Sequence, residues 1–457
     1  MYLLELHNTT IRSILDTIFE KIIFNQIYNH FKNNNLFFKH QYGFLENHST
    51  EQAALELIDR VVQNLDDGNI PINIYMDLSK AFDTLDHKIL IDKLSHYGIN
   101  GTEINLIHNY LFNRKQYVEF KNISSEQLYI KTGVPQGSIL GPLLFIIYIN
   151  DIYNASNAFN FIIYADDTTL NSTLNSFGPL SQPKVIEANI NNELTQISNW
   201  LKVNKLSLNV KKTKYTQFHM PQKAVPKLKL TIDNYNIERV DDFNFLGLTI
   251  NTKLNWSSHI NIIAGKLTKA IGIINNVKYT MPQQTLLTLY NTLVLPHIHY
   301  CLLAWGNSAT RVQTLQKKAL RTISLASKHT HTEPICKILS LLKFTDIYKL
   351  QIQKFYFNII NNNLPAYFHN FHLIDRPTNT FSYNTRNKIK RLPLVKHNFA
   401  KNCLKHNLIR EINYTPNIIL EKIHTHSLKG FTGYIKNYLL NNYQLSCSIQ
   451  NCYSCHR

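Results

Sequence analysis

Apolar positions change period several times along this chain, and the changes mark out its elements. Residues 18–32 and 51–65 carry apolar side chains at helical spacing. Asn33, Asn34, Asn35 and Gly43 mark loops between them. Over residues 71–77 the period falls to two. Ile72, Ile74 and Met76 alternate with Asn73 and Tyr75, which predicts a strand with one apolar face. Helical spacing returns over 87–97 and 102–112, separated by Gly98 and Gly101, and strand character over 117–120 and 128–132. A helix is expected after Pro142. Residues 159–165 form a largely apolar run, Asp166 and Asp167 break it, and residues 168–170 return as a second strand. The prediction there is a hairpin with two acids at its tip. A further helix is expected over 189–206, ending near Lys205, and strands over 226–250. Beyond about residue 255 the pattern is mainly helical. No tandem repeat interrupts this order, and the class it predicts is α+β.

Composition narrows the class of partner. The chain has 457 residues, 44% of them hydrophobic, which suits a large core and two to four domains rather than a disordered chain. Lys and Arg number 48 against 30 Asp and Glu, a net charge of +18. An excess of that size points to a polyanion, nucleic acid first and an acidic membrane surface second. Membrane insertion is not expected. The most apolar stretch, residues 139–149, is too short to span a bilayer and contains Gly141 and Pro142. The N-terminus has no basic segment or cleavage site of a signal peptide. Six cysteines are few for this length, which fits a reducing compartment. Cys447, Cys452, Cys455 and His456 near the end do not fit a usual zinc spacing, and adjacent Cys455 and His456 strain a tetrahedral site.

Three short segments carry the chemistry. They are Tyr-Met-Asp-Leu-Ser-Lys-Ala-Phe-Asp at 75–83, Gly-Val-Pro-Gln-Gly-Ser at 133–138 and Tyr-Ala-Asp-Asp at 164–167. The first and third place carboxylates just after an apolar run. Taken singly each has a plainer reading: Asp77 as a helix N-cap, Asp166-Asp167 as a solvated turn, Pro135-Gln136-Gly137 as a surface turn. Taken together and in this order, they offer acids that a fold could gather around two Mg²⁺ ions about 3.5–4 Å apart for phosphoryl transfer. Pro135 restricts the turn, and Gly137 lets backbone approach a ligand.

In this order the three segments resemble motifs A, B and C of reverse transcriptases, most nearly the jockey-like type of non-LTR retrotransposons. The resemblance extends to residues 18–23 (Ile-Phe-Glu-Lys-Ile-Ile), 41–50, 200–218 (motif D) and 245–250 (motif E), and more loosely to 300–321. It implies a right-hand polymerase fold, with fingers and a palm built on an antiparallel sheet over 1–254, a helical thumb over 255–330, and a basic, mainly helical C-terminal region over 331–457. It also implies an RNA-directed DNA polymerase, a nucleotidyltransferase that extends a primer 3′-hydroxyl on an RNA template with dNTPs. The catalytic acids would be Asp77, Asp166 and Asp167. Two Mg²⁺ ions, or Mn²⁺ in their place, would be held by these acids and the Leu78 carbonyl. Lys212 would assist the leaving pyrophosphate. Phe82 would exclude a 2′-hydroxyl, Gln136 and Gly137 would line the nucleotide site, and Phe245, Leu246 and Gly247 would grip the primer. Lys266, Lys269, Lys317, Lys318 and Arg321 are candidates for contacts to the template–primer backbone, with a solvated helix face as the plainer reading.

Two departures from the pattern bear on turnover. The family's Arg-Pro-Ile upstream reads His7-Asn8-Thr9 here, and its Gly-Phe-Arg reads Gly43-Phe44-Leu45. Each removes a guanidinium that would pair with a triphosphate. No segment resembles an endonuclease, so one supplied in trans by the element is a candidate partner. Location in the nucleus or cytoplasm is expected. The competing readings are a decayed, truncated copy that keeps only nucleic-acid binding and, less favoured, a group II intron maturase.

Overall fold

A computed structural model describes residues 14–112, 114–121, 123–135, 137–220, 225–369, 371 and 392–445. They group into two compact units, the first of residues up to Ala53 with Asn69–Val240, the second of Ala54–Gly68 with the residues from Asp241 onward. The class is α+β, as the periodicity implies.

The first unit is built on a five-stranded sheet. Strand β1 (Pro71–Met76) lies at its centre. Beyond it run β2 (Asn160–Tyr164) and β3 (Asp167–Thr173), the two arms of the expected hairpin, then β4 (Lys214–Gln217) and β5 (Glu238–Arg239). The spatial order is β5-β4-β1-β3-β2. β1 is antiparallel to both neighbours, with Ile74 opposite Leu170 and Tyr215. Alternation along β1 sends Ile72, Ile74 and Met76 into the apolar core. Asn73 and Tyr75 occupy the other face. There Asn171 donates to Asn73 at 2.6 Å and the Tyr75 hydroxyl meets Thr216 at 3.3 Å. A buried face that carries polar groups has to pair them, because each unpaired group costs about 1–3 kcal/mol.

β4 goes beyond the sequence expectation. Its Tyr215, Thr216 and Gln217 are fully buried, yet two of the three are polar and mask the period of two. Two helices begin earlier than expected. The helix expected after Pro142 spans Leu140–Ile149, with Pro142 in its first turn, where an absent N–H breaks no helical bond. The helix expected from 189 spans Pro183–Val203, with proline at its start and Ile186 extending the buried stripe of Ile190, Leu194, Ile197 and Leu201. The former is buried all round. Each of its large apolar side chains contributes about 1.5–3 kcal/mol on burial, so the most apolar segment of the chain is a core helix.

The second unit opens with a hairpin of β6 (Asp242–Phe245) and β7 (Leu248–Asn251) and continues as helices, among them Ser257–Val277, Gln283–Leu293, Thr310–Ile323 and Phe344–Ile360. Residues 54–66 of the helix Thr50–Asp66 belong to it as well. Among the described residues no single helix is long and apolar enough to cross a membrane. One bent pair, Gln283–His299 with Leu302–Ser308, passes on length and composition. Its Leu286, Tyr290, Ile298, Leu302 and Trp305 are buried within the protein.

Candidate active site

Strand pairing brings the acids together. Met76, the last residue of β1, lies opposite Thr168, and Tyr164 opposite Asp167 closes the hairpin. Asp77 therefore leaves the sheet beside the turn that carries Asp166 and Asp167. The carboxylates feel one another. Burial pushes the Asp166 carboxyl above the usual carboxylate range; the Asp77 charge adds to this and Lys212 opposes it. Asp167 is pushed up to about 6, by burial first and then by the charges of Asp166 and Asp77. Acids held against their own repulsion attract a hard cation.

The exit from β1 is fixed from the other side by residues 207–209. Asn209 N–H donates to the Asp77 carbonyl at 2.8 Å, and Ser79 N–H to the Ser207 carbonyl at 2.8 Å. These bonds flank the Leu78–Leu208 bridge without using Leu78 itself. In an antiparallel pair that turns the Leu78 carbonyl to the far side of its strand, the side on which β3 lies. The same loop winds into a turn, with Lys212 and Thr213 N–H both donating to the Asn209 carbonyl. Lys212 Nζ then stands 3.6 Å from an Asp77 oxygen. Of the neighbouring lysines, Lys214 is instead drawn to Glu238.

Residues 82–87 are stitched to 132–134. Val134 N–H donates to the Phe82 carbonyl at 2.9 Å, Gly133 N–H to that of Leu85 at 2.8 Å, and the His87 ring bonds the Gly133 carbonyl at 2.7 Å. Gly133 has φ +84°, and a Cβ there would sit 2.7 Å from the Asp83 carbonyl oxygen. No other residue meets both demands. Phe82 is half-buried, its ring 4.7 Å from that of Phe145 and 6.3 Å from that of Phe44. Gly137 takes φ +81° with open space around it. Gln136 lies outside the described residues, as do His7 and the C-terminal Cys447, Cys452, Cys455 and His456.

One contributor had only a weak sequence signal. Glu20, in the Ile-Phe-Glu-Lys-Ile-Ile segment, is buried, yet helical spacing alone assigns it no role. It accepts Ile139 N–H and the Tyr110 hydroxyl, each at 2.8 Å. A carboxylate at the start of the helix Leu140–Ile149 satisfies a free N–H and suits the helix dipole. Leu45, where the family pattern has arginine, packs against the core.

Phe245, Leu246 and Gly247 lie together in the second unit, at the β6–β7 turn. Leu246 has φ 48° and Gly247 φ 83°, the signature of a tight two-residue hairpin. The Tyr300 hydroxyl donates to the Leu246 carbonyl. Lys266, Lys269, Lys317 and Lys318 are exposed on two helices that pack together, whereas Arg321 donates to the Thr330 carbonyl at 2.7 Å.

Residues 7–250, more than half of the chain, match the reverse transcriptase (RNA-dependent DNA polymerase) family. The chain belongs to that family. Curated proteins similar to this chain include RNA-directed DNA polymerases of jockey and other transposons. It is 25% identical over 332 residues to a probable RNA-directed DNA polymerase from transposon BS of Drosophila melanogaster, covering 68% of this chain and 35% of that protein. It is 23% identical over 343 residues to the RNA-directed DNA polymerase from mobile element jockey of Drosophila funebris, covering 72% and 36%. This reverse transcriptase chain thus spans about a third of the length of the curated relatives it matches. A solved telomerase from Candida albicans aligns with 67% of this chain and 55% of its own at 12% identity and a TM-score of 0.40, too loosely to bear on function.

Dependence on divalent metal is general to the reverse transcriptase family. Here the donors are hard carboxylate oxygens, two of the groups with pKa values raised by burial first and then by neighbouring carboxylates, which fits such an ion. Among the described residues no three His, Cys, Asp or Glu side chains form a metal cage. Mg²⁺ commonly binds one or two carboxylates and completes its shell with water and substrate phosphates.

Proposed function

We propose that this chain is the RNA-directed DNA polymerase of a non-LTR retrotransposon, adding dNTPs to a DNA primer 3′-hydroxyl on an RNA template. The observation that carries the proposal is the meeting of Asp77 with Asp166 and Asp167 at one end of the antiparallel β1–β3 pair, with Lys212 beside Asp77. Asp77 and Asp166 would be the principal ligands of two Mg²⁺ ions, which Mn²⁺ could replace, with the Leu78 carbonyl and Asp167 as further ligands. When bound, the ions activate the primer hydroxyl and stabilise the departing pyrophosphate. As the 3′-oxygen bonds the α-phosphorus and the bond to pyrophosphate breaks, Lys212 neutralises or protonates the leaving group. Phe82 faces the sugar and excludes a 2′-hydroxyl, while Gln136 and Gly137 line the nucleotide site. Phe245, Leu246 and Gly247 hold the primer. The fingers and palm correspond to 1–254, the thumb to 255–330. Work in the nucleus or cytoplasm belongs to this reading.

The test is primer extension on an RNA template by the purified chain, with Mg²⁺ and with EDTA. Extension is expected with Mg²⁺ only, and Asp77→Ala should abolish it. Undiminished extension by Asp77→Ala would remove that acid from the mechanism. Template–primer binding without incorporation by the wild-type chain would instead favour a decayed copy, the reading that the losses at His7 and Leu45 support.

A further inference from the structure

The turn that carries Asp166 is held by a segment far from it in sequence. Residues 40–43 run beside the end of β2: Ile163 N–H donates to the His40 carbonyl at 2.9 Å, and Tyr42 N–H to that of Ile163 at 2.7 Å. Between these bonds the buried Gln41 side chain reaches the hairpin turn. Its Oε1 accepts Gly43 N–H at 2.8 Å and Ala165 N–H at 3.2 Å. Ala165 has φ 56°, a left-handed conformation that a non-glycine residue keeps only when its surroundings enforce it. Gly43 makes the approach feasible. A Cβ at that position would lie deep within contact distance of the Ala165 nitrogen and 3.0 Å from its Cα.

We propose that Gln41 is a positioning residue whose single carboxamide oxygen clamps the Ala165–Asp166 turn to the 40–44 segment, and so sets the metal-binding geometry of Asp166. The inference rests on the polymerase reading above. The same oxygen fixes the residue before the acid and the residue before Phe44, whose ring faces Phe82. One buried acceptor thereby links the acids to the wall of the nucleotide site. A neutral acceptor suits the place. A carboxylate would make the same two bonds but add charge beside acids that already repel one another.

Three variants of the full chain test this: Gln41→Leu, which has no acceptor; Gln41→Glu, which keeps one; and Gly43→Ala, which drives a Cβ into Ala165. Mn²⁺ affinity is read by electron paramagnetic resonance of the free ion, separately from kcat and KM for dNTP in primer extension. Loss of a group that orients a ligand costs on the order of tenfold in metal affinity, and Gln41→Leu and Gly43→Ala should both show it. Their kcat should fall on the order of tenfold or more through misplacement of Asp166, with KM for dNTP little changed. Gln41→Glu keeps the acceptor but adds charge beside the acids, so it should lie between wild type and Gln41→Leu in both readouts. Folded Gln41→Leu and Gly43→Ala proteins that bind Mn²⁺ and turn over like wild type would overturn the clamp. If Gln41→Leu does not fold, Gly43→Ala decides. A wild type that binds Mn²⁺ but extends no primer refutes the polymerase reading while the Mn²⁺ series still judges Gln41.

Discussion

At the scale of single residues, each position near the candidate site answers to a specific physical demand. Gly133 combines a positive φ with a backbone approach to Asp83 that leaves no room for a Cβ, and the Gly-Val-Pro turn is bonded to Phe82 and Leu85. Phe82 is held by its carbonyl and by the rings of Phe145 and Phe44, which makes it a wall rather than a mobile aromatic. Shortening that wall should change which sugar fits while leaving the acids in place. Phe82→Val is expected to raise rNTP incorporation relative to dNTP, by on the order of tenfold or more if about 1.4 kcal/mol of steric exclusion is lost. Competing single-nucleotide incorporation measures the ratio, and an unchanged ratio would remove Phe82 from sugar selection. The residue types of this site were legible in the sequence because acids, glycines and an aromatic at fixed spacing are rare together. The acceptor role of Gln41 was not, since nothing local to it distinguishes its carboxamide from a solvated one.

At the scale of elements, legibility followed the strength of the periodic pattern. β1 and the β2–β3 hairpin were readable because one face is apolar and the break falls at two acids. β4 was not: a strand paired on both sides can bury Thr216 and Gln217, and then its composition no longer alternates. The start of the helix Leu140–Ile149 was displaced for a related reason, because the group that satisfies its entrance comes from Glu20. Replacing that carboxylate leaves Ile139 N–H and the Tyr110 hydroxyl without it. Glu20→Ala should therefore destabilise the first unit by about 1–3 kcal/mol in urea unfolding, with Glu20→Gln recovering most of the loss. Equal stability of Glu20→Ala and wild type would show that water replaces the carboxylate at no cost.

At the scale of the whole molecule, the net charge of +18 sets how the chain meets a polyanion. Lys266, Lys269, Lys317 and Lys318 are exposed, and as phosphate contacts they would add attraction without reading sequence. Affinity for an RNA–DNA template–primer should fall on the order of a hundredfold or more between about 50 and about 200 mM NaCl, the response expected when several phosphates release counterions. A fluorescence-anisotropy titration checks this, and a flat salt response would exclude a phosphate-dominated interface. The sequence by itself determined the family and most of the order of the elements, and it singled out the acids, because these depend on residue type and local period. Only the tertiary structure decided which groups meet. Register in the β1–β3 pair puts Asp77 beside Asp166 and Asp167, the 207–213 turn selects Lys212, and Gln41 reaches Ala165 across the fold. Contacts between distant segments are fixed by packing and strand pairing, and no short stretch of sequence carries that information.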